Sequence, residues 1–195
     1  MLDRDLNWTA LLHQVIEQGA GFAAGVIDRP GCDALAAELS GGPFVPAAPV
    51  IGQVRQQLEA FRVPVEQLPL RYPLLAELCD ELIVQIHQQG VPGWVPNEIS
   101  FQRYQPGSLG ITPHRDQRRY AALVAVVTVA GSALFTLCRN RNGEPIRSWQ
   151  ANAGSLVLLR GPGLAGDPDG RPLHLVGGPT GGTPRTSIGI RMNTA

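Results

Sequence analysis

The segment Pro113-His114-Arg115-Asp116, a second histidine at His174, and two arginines near the C-terminus, Arg185 and Arg191, are the residues best suited to chemistry. Two imidazoles and one carboxylate can occupy one face of a metal ion and leave the opposite face open, the ligand set of non-haem Fe(II) oxygenases. His114 and Asp116 are two apart, so on extended chain their side chains point the same way and can reach one ion. The third ligand must come from elsewhere. His174 lies in a strand-like Pro-Leu-His-Leu-Val, whereas His13 and His87 fall on predicted helices. The bland alternative is two surface histidines and a loop aspartate. Three protein ligands would leave room for a bidentate keto-acid and dioxygen.

Arg185 and Arg191 are six apart in Arg-Thr-Ser-Ile-Gly-Ile-Arg. On a strand that spacing puts both guanidinium groups on one face with Ser187 and Gly189, and turns Thr186, Ile188 and Ile190 the other way. Charges facing a barrel interior need a partner. A dicarboxylate is such a partner, because arginine grips a carboxylate through two parallel hydrogen bonds. The competing explanation is the solvent face of an edge strand. Gln102 and Tyr104 share a strand face with Ser100 and could donate hydrogen bonds to the same ligand.

These residues need a frame. From Asn97 the hydrophobic period is two: Ile99, Phe101 and Arg103 alternate with Ser100, Gln102 and Tyr104. Short Val/Ile/Leu-rich strands are predicted at 121–129, 133–138, 146–150, 155–159, 173–176 and 186–192, separated by Gly, Pro and Asn clusters. The stretch 161–172 is expected to be a long loop over one barrel mouth. The first half reads helical. Asn7 can cap a helix ended by Gly19, a second is expected from Cys32 to Leu39, and the clearest runs from Pro73 to Gln89 with Leu74, Leu75, Leu78, Leu82, Ile83 and Ile86 on one stripe. Val54 to Phe61 is a short polar candidate, and 43–49 carries too many prolines for a regular element. Helices followed by many short strands imply an α+β fold with an antiparallel sandwich or barrel. The expectation is one structural domain, with a helical region at 1–96 packing on a catalytic barrel at 97–195.

Composition sets the outer bounds. The 195 residues carry no net charge and no lysine, but the charge is unevenly spread: residues 1–96 hold five arginines against eleven acids, and residues 97–195 hold eleven against five. A positive half could attract phosphates or a dicarboxylic acid, or could simply neutralise acidic helices. No apolar run is long enough to span a bilayer, and the charged start lacks the order of a signal peptide. Cys32, Cys79 and Cys138 are odd in number and widely spaced, so reduced thiols and a cytoplasmic location are expected. The absence of a CxxC pair argues against structural zinc.

Five separated pieces occur in order: Phe101-Gln102-Arg103-Tyr104-Gln105-Pro106-Gly107; His114-x-Asp116; Gly154-Ser155-Leu156 with Arg160-Gly161-Pro162; His174; and Arg185-x-Ser187-x-x-x-Arg191. In this the chain resembles the AlkB-like Fe(II)/2-oxoglutarate dioxygenases across residues 97–193. The resemblance implies a double-stranded β-helix, or jelly-roll, with Fe(II) held by His114, Asp116 and His174. It implies that Arg185 pairs with the distal carboxylate of 2-oxoglutarate, helped by Tyr104 and Ser187, and that Arg191 and Gln102 lie near its iron-chelating end. Dioxygen would be consumed, succinate and carbon dioxide released, and a substrate C–H hydroxylated or oxidatively demethylated. An aspartate at 116 argues against halogenation, which needs a small residue there. Gln102 stands where the family commonly has Asn, and the His174–Arg185 spacing is shorter than in the DNA-repair members.

For substrate, a small molecule or amino-acid-like compound is expected, with Arg115, Arg118 and Arg119 as candidate contacts. The alternative is dealkylation of nucleic acid, for which these three with Arg139, Arg141 and Arg147 would form a basic groove. Protein modification is a further option. From other classes come a non-catalytic metal- or acid-binding jelly-roll and a zinc hydrolase.

Overall fold

The computed structural model describes residues 1–179 and 181–195. Helix α1 (Trp8–Gln18) begins at Asn7, whose side chain accepts from the Ala10 amide, and ends at Gly19 in the left-handed region at φ +83°. Strand β1 (Ala20–Ala23) follows, then α2 (Arg29–Ser40), capped by Asp28 and starting three residues earlier than expected. Short strands β2 (Val45–Pro46), β3 (Val50–Ile51), β4 (Val54–Gln57) and β5 (Glu59–Pro64) come next. A brief α3 (Leu68–Arg71) leads into α4 (Pro73–Gln88). The second half supplies β6 (Glu98–Tyr104), β7 (Gly110–His114), β8 (Tyr120–Ala130), β9 (Ser132–Cys138), β10 (Pro145–Asn152), β11 (Leu156–Arg160), β12 (His174–Pro179) and β13 (Arg185–Asn193).

The strands form two antiparallel sheets, ordered β1-β11-β8-β13-β6-β5-β2 and β10-β9-β12-β7-β4-β3. The larger sheet is covered on both faces, which is why its strands read as near-continuous apolar runs. Along β8, Leu123, Ala125, Val127 and Val129 pack in one cluster with α1, α2 and α4, while Val124 turns into the cluster between the sheets. On β13 the same alternation sends Ile188 and Ile190 toward the helices.

Residues 1–96 are not purely helical, and Val54–Phe61 is not a helix. This segment forms β4 and the start of β5. The signal was the alternation Phe61-Arg62-Val63-Pro64, in which Phe61 and Val63 are buried while Arg62 and Pro64 are exposed. Through β1–β11, β5–β6 and β4–β7 pairings the first half completes both sheets. The proline-rich segment contributes one two-residue edge strand, β2, where a missing amide donor costs least.

The strand β7 was legible only as extended chain, yet it sets the register that matters. Gly110 opens it at φ +77°, and a Cβ there would lie 2.0 Å from the Val176 carbonyl oxygen. Only glycine lets β7 lie this close to β12. The pairing then places His114 directly opposite His174.

Candidate metal centre

His114 ends β7, Asp116 follows two residues on, and His174 starts β12. Their ligand atoms all lie within 4.8 Å of one another. The imidazole centroids are 4.3 Å apart at 53°, so the rings converge rather than stack. Each ring is oriented the same way. His114 Nδ1 is 3.0 Å from the Thr112 carbonyl oxygen, and His174 Nδ1 is 3.2 Å from that of Pro172. A carbonyl can only accept, so Nδ1 carries the proton and Nε2 of both rings is left able to bind a metal. Phe135 stacks on His174 at 5.2 Å and 11°, fixing its plane. Burial, reinforced by the neighbouring His114, pushes the His174 imidazolium down to about 4. The ring is therefore neutral at pH 7, as a ligand must be.

The loop before β12 also holds Asp116. Arg171 donates through Nη1 to the Asp116 carbonyl oxygen. Its Nε and Nη2 grip Asp169, at 2.5 and 2.9 Å, and Arg118 grips the same carboxylate at 2.9 Å. Arg171 thus ties two ligand-bearing segments together. Sequence reading missed it, because nothing in Gly170-Arg171-Pro172 shows which carbonyl the side chain reaches. Arg171→Ala is expected to weaken divalent-metal affinity about 10-fold or more, in the range known for outer-shell partners. Calorimetric metal titration measures this, and unchanged affinity would remove Arg171 from the site.

Arg185 and Arg191 lie on the inward face of β13, as the alternation predicts. Arg185 is buried at 1% exposure. Its partners are the hydroxyls of Ser187 at 3.1 Å and Thr128 at 2.9 Å, and Nε has none. Among the described residues no carboxylate pairs with it. Burial lowers its pKa, but a guanidinium does not give up its proton in proteins. A buried cation held only by hydroxyls is an unfinished ion pair. Tyr104 lies directly opposite it on β6, and its ring centroid is 5.3 Å from the guanidinium carbon. Burial pushes the Tyr104 phenol up to about 12, with Arg185 acting against the rise. The phenol stays protonated and donates to Gln102 Oε1 at 3.0 Å.

Arg191 lies nearer the mouth. It donates to Ser100 Oγ, sits 5.1 Å from the Tyr120 ring centroid, and also leaves Nε unpaired. A cavity of about 400 Å³ opens here, lined by His114, Asp116, Gln102, Ser100 and Arg191. Asp116 is the only acid among its lining residues, so no second carboxylate stands ready as the general base of a zinc hydrolase. The three candidate substrate contacts separate: Arg115 lines the cavity, while Arg118 pairs with Asp169 and Arg119 lies against Tyr120. Arg139 pairs with Glu144. Arg118 and Arg139 are thus paired with acids of loops rather than with the acidic helices.

No protein-family model and no curated protein matches the sequence. Solved structures do match in shape. A prolyl-4-hydroxylase from Pseudomonas putida aligns at TM-score 0.65 and 20% identity, over 95% of this chain and 98% of that one. The non-haem α-ketoglutarate-dependent carbocyclase SnoK of nogalamycin biosynthesis aligns at 0.66 and 12%, covering 98% and 85%. A Trichoplax adhaerens prolyl hydroxylase, in complex with a peptide of the hypoxia-inducible factor oxygen degradation domain, aligns at 0.66 and 10%, covering 95% and 89%. This chain has the double-stranded β-helix fold that these oxygenases share.

Proposed function

We propose that this protein is an Fe(II)/2-oxoglutarate-dependent dioxygenase that hydroxylates or oxidatively demethylates a small-molecule substrate. The observation that carries this reading is the pairing of two unfinished features in one barrel: converging His114, Asp116 and His174, and a buried Arg185 with no acid. His114 Nε2, His174 Nε2 and the Asp116 carboxylate would hold the iron. Arg185, with Tyr104 and Ser187 beside it, would take the distal carboxylate of 2-oxoglutarate. Gln102 and Arg191 would face its metal-binding end. Bound iron, with 2-oxoglutarate and dioxygen, supplies the oxidising power that converts C–H to C–OH and releases succinate and carbon dioxide. The chain's own part is to orient the co-substrate, present His174 as a neutral imidazole and hold water out through the apolar wall of Leu58 and Ile111.

The finer AlkB-like assignment rests on the order of the sequence motifs. Nucleic-acid dealkylation is less well supported than a small substrate, because Arg118 and Arg139 are committed to Asp169 and Glu144. A cytoplasmic setting fits three free buried cysteines, and no helix among the described residues is long and apolar enough to cross a membrane.

Succinate release, followed with Fe(II), 2-oxoglutarate and oxygen, is the test. Iron-dependent succinate formation above the protein-free rate is expected even without the true substrate. The non-catalytic jelly-roll would bind the metal or the acid and form no succinate.

A further inference from the structure

We infer that the substrate of this site is a small organic anion, a carboxylate or phosphate monoester with an apolar body, held by Arg62 and Arg115 at the cavity mouth. This rests on the dioxygenase reading above and adds the charge of the substrate to it. Arg62 comes from β5 and Arg115 from between the two metal ligands of the His114-x-Asp116 segment, and both line the cavity. Neither is fully used by the protein. Arg62 has only a loose pair with Glu98, at 3.9 Å, and is largely exposed. Arg115 spends Nε on the Arg171 carbonyl oxygen at 3.1 Å and is exposed to the opening.

The cavity offers no acid to balance them. Its one carboxylate, Asp116, is committed to the metal. With the metal, the dianionic co-substrate, Asp116, Arg185, Arg191 and the nearby Glu98 all counted, the loaded centre is neutral, and Arg62 and Arg115 then make it positive. A cationic substrate would be repelled, and a neutral one would leave the field unanswered. An anion answers it, and guanidinium forks suit carboxylate and phosphate oxygens. One side of the wall is mainly apolar, with Ala47, Ala48, Ile51, Val54, Leu58 and Ala60 beside a single amide, Gln56. An acid anchored at the arginines would lay its hydrocarbon along these residues toward His114. About 400 Å³ is room for one small molecule at this mouth.

The test uses matched eight-carbon probes on the full chain loaded with Zn(II) and saturating 2-oxoglutarate, which blocks the Arg185 subsite. Octanoate, octyl phosphate, octanamide and octylamine are titrated by calorimetry. Octanoate or octyl phosphate should bind at least about ten-fold tighter than octanamide, the scale of one charge-assisted hydrogen bond, and octylamine should not bind. Which anion binds better identifies the headgroup. In Arg115→Ala the anion-over-amide preference should collapse. Arg62→Ala, far from the metal ligands in sequence, should reduce it by a second route. Equal binding of anion and amide, preferred binding of octylamine, or an unchanged preference in both variants would overturn the proposal. So would tight binding of a single-stranded oligonucleotide with none of octanoate or octyl phosphate. Failure to bind 2-oxoglutarate at all would instead count against the dioxygenase reading.

Discussion

Arg185→Ala should cost 2-oxoglutarate about 2–5 kcal/mol of binding free energy, roughly thirty-fold to a few thousand-fold in Kd. The size follows from burial. The guanidinium is 1% exposed and meets the Ser187 and Thr128 hydroxyls and Tyr104, with no carboxylate paired to it among the described residues. A carboxylate arriving there completes an ion pair in a low dielectric, and without the arginine it arrives unpaired beside a phenol that is protonated. The same substitution should not destabilise the ligand-free protein. It removes an uncompensated buried charge, so thermal stability should hold or rise. Opposite movements of ligand affinity and stability distinguish a binding residue from a structural one. Arg185→Lys should recover part of the affinity, because the charge remains while the two-pronged geometry is lost. Calorimetric titration of the Zn(II)-loaded variants reads all of this. Wild-type affinity in Arg185→Ala would refute the assignment.

His174→Ala should abolish iron-dependent succinate formation and weaken metal binding by more than roughly 100-fold, the upper end for loss of an outer-shell partner alone. The ring would contribute Nε2 to the proposed centre, and its Nδ1 bond to Pro172 and stacking on Phe135 hold that atom in place. Truncation leaves Phe135 without its stacking partner, but β12 keeps its pairing with β7 and β9, so the fold should persist by circular dichroism. His13→Ala is the matched control: it lies exposed on α1, away from the sheets, and metal affinity should not change. Full activity in His174→Ala would take that residue out of the centre.

How much of this was written in the chain differs by element. Regular patterns carried well. Asn7, Gly19 and the 3.6-residue stripe marked α1 and α4, and the period-two strands marked the second half. The inward arginines of β13 were legible because charge and apolar residues alternate there in reverse of a solvent-facing strand. Short strands carried poorly. The segments β2, β3 and β4 hold two to four residues each, too few for a period to emerge. β2 takes its strand character from β5 and β4 from the distant β7, while β3 is held by β4 across a tight turn. The two histidines and the aspartate were legible as residue types, but their convergence depends on Gly110 and the β7–β12 register, which local pattern does not encode. The arginine distribution misled in one respect. An excess of positive charge in the second half suggested pairing with acidic helices as one option, yet Arg139 and Arg171 meet Glu144 and Asp169 within their own loops and Arg118 meets Asp169 across two loops. Proximity in the fold, not bulk charge, chose the partners.

A crystal structure of the protein grown with Zn(II) and 2-oxoglutarate, with the zinc placed from its anomalous signal, would decide the matter. One ion should bond the Nε2 atoms of His114 and His174 and the Asp116 carboxylate at about 2.0–2.2 Å, with the far carboxylate of the keto-acid against the Arg185 guanidinium. Zinc bound without His174, or 2-oxoglutarate seated away from Arg185, would contradict it.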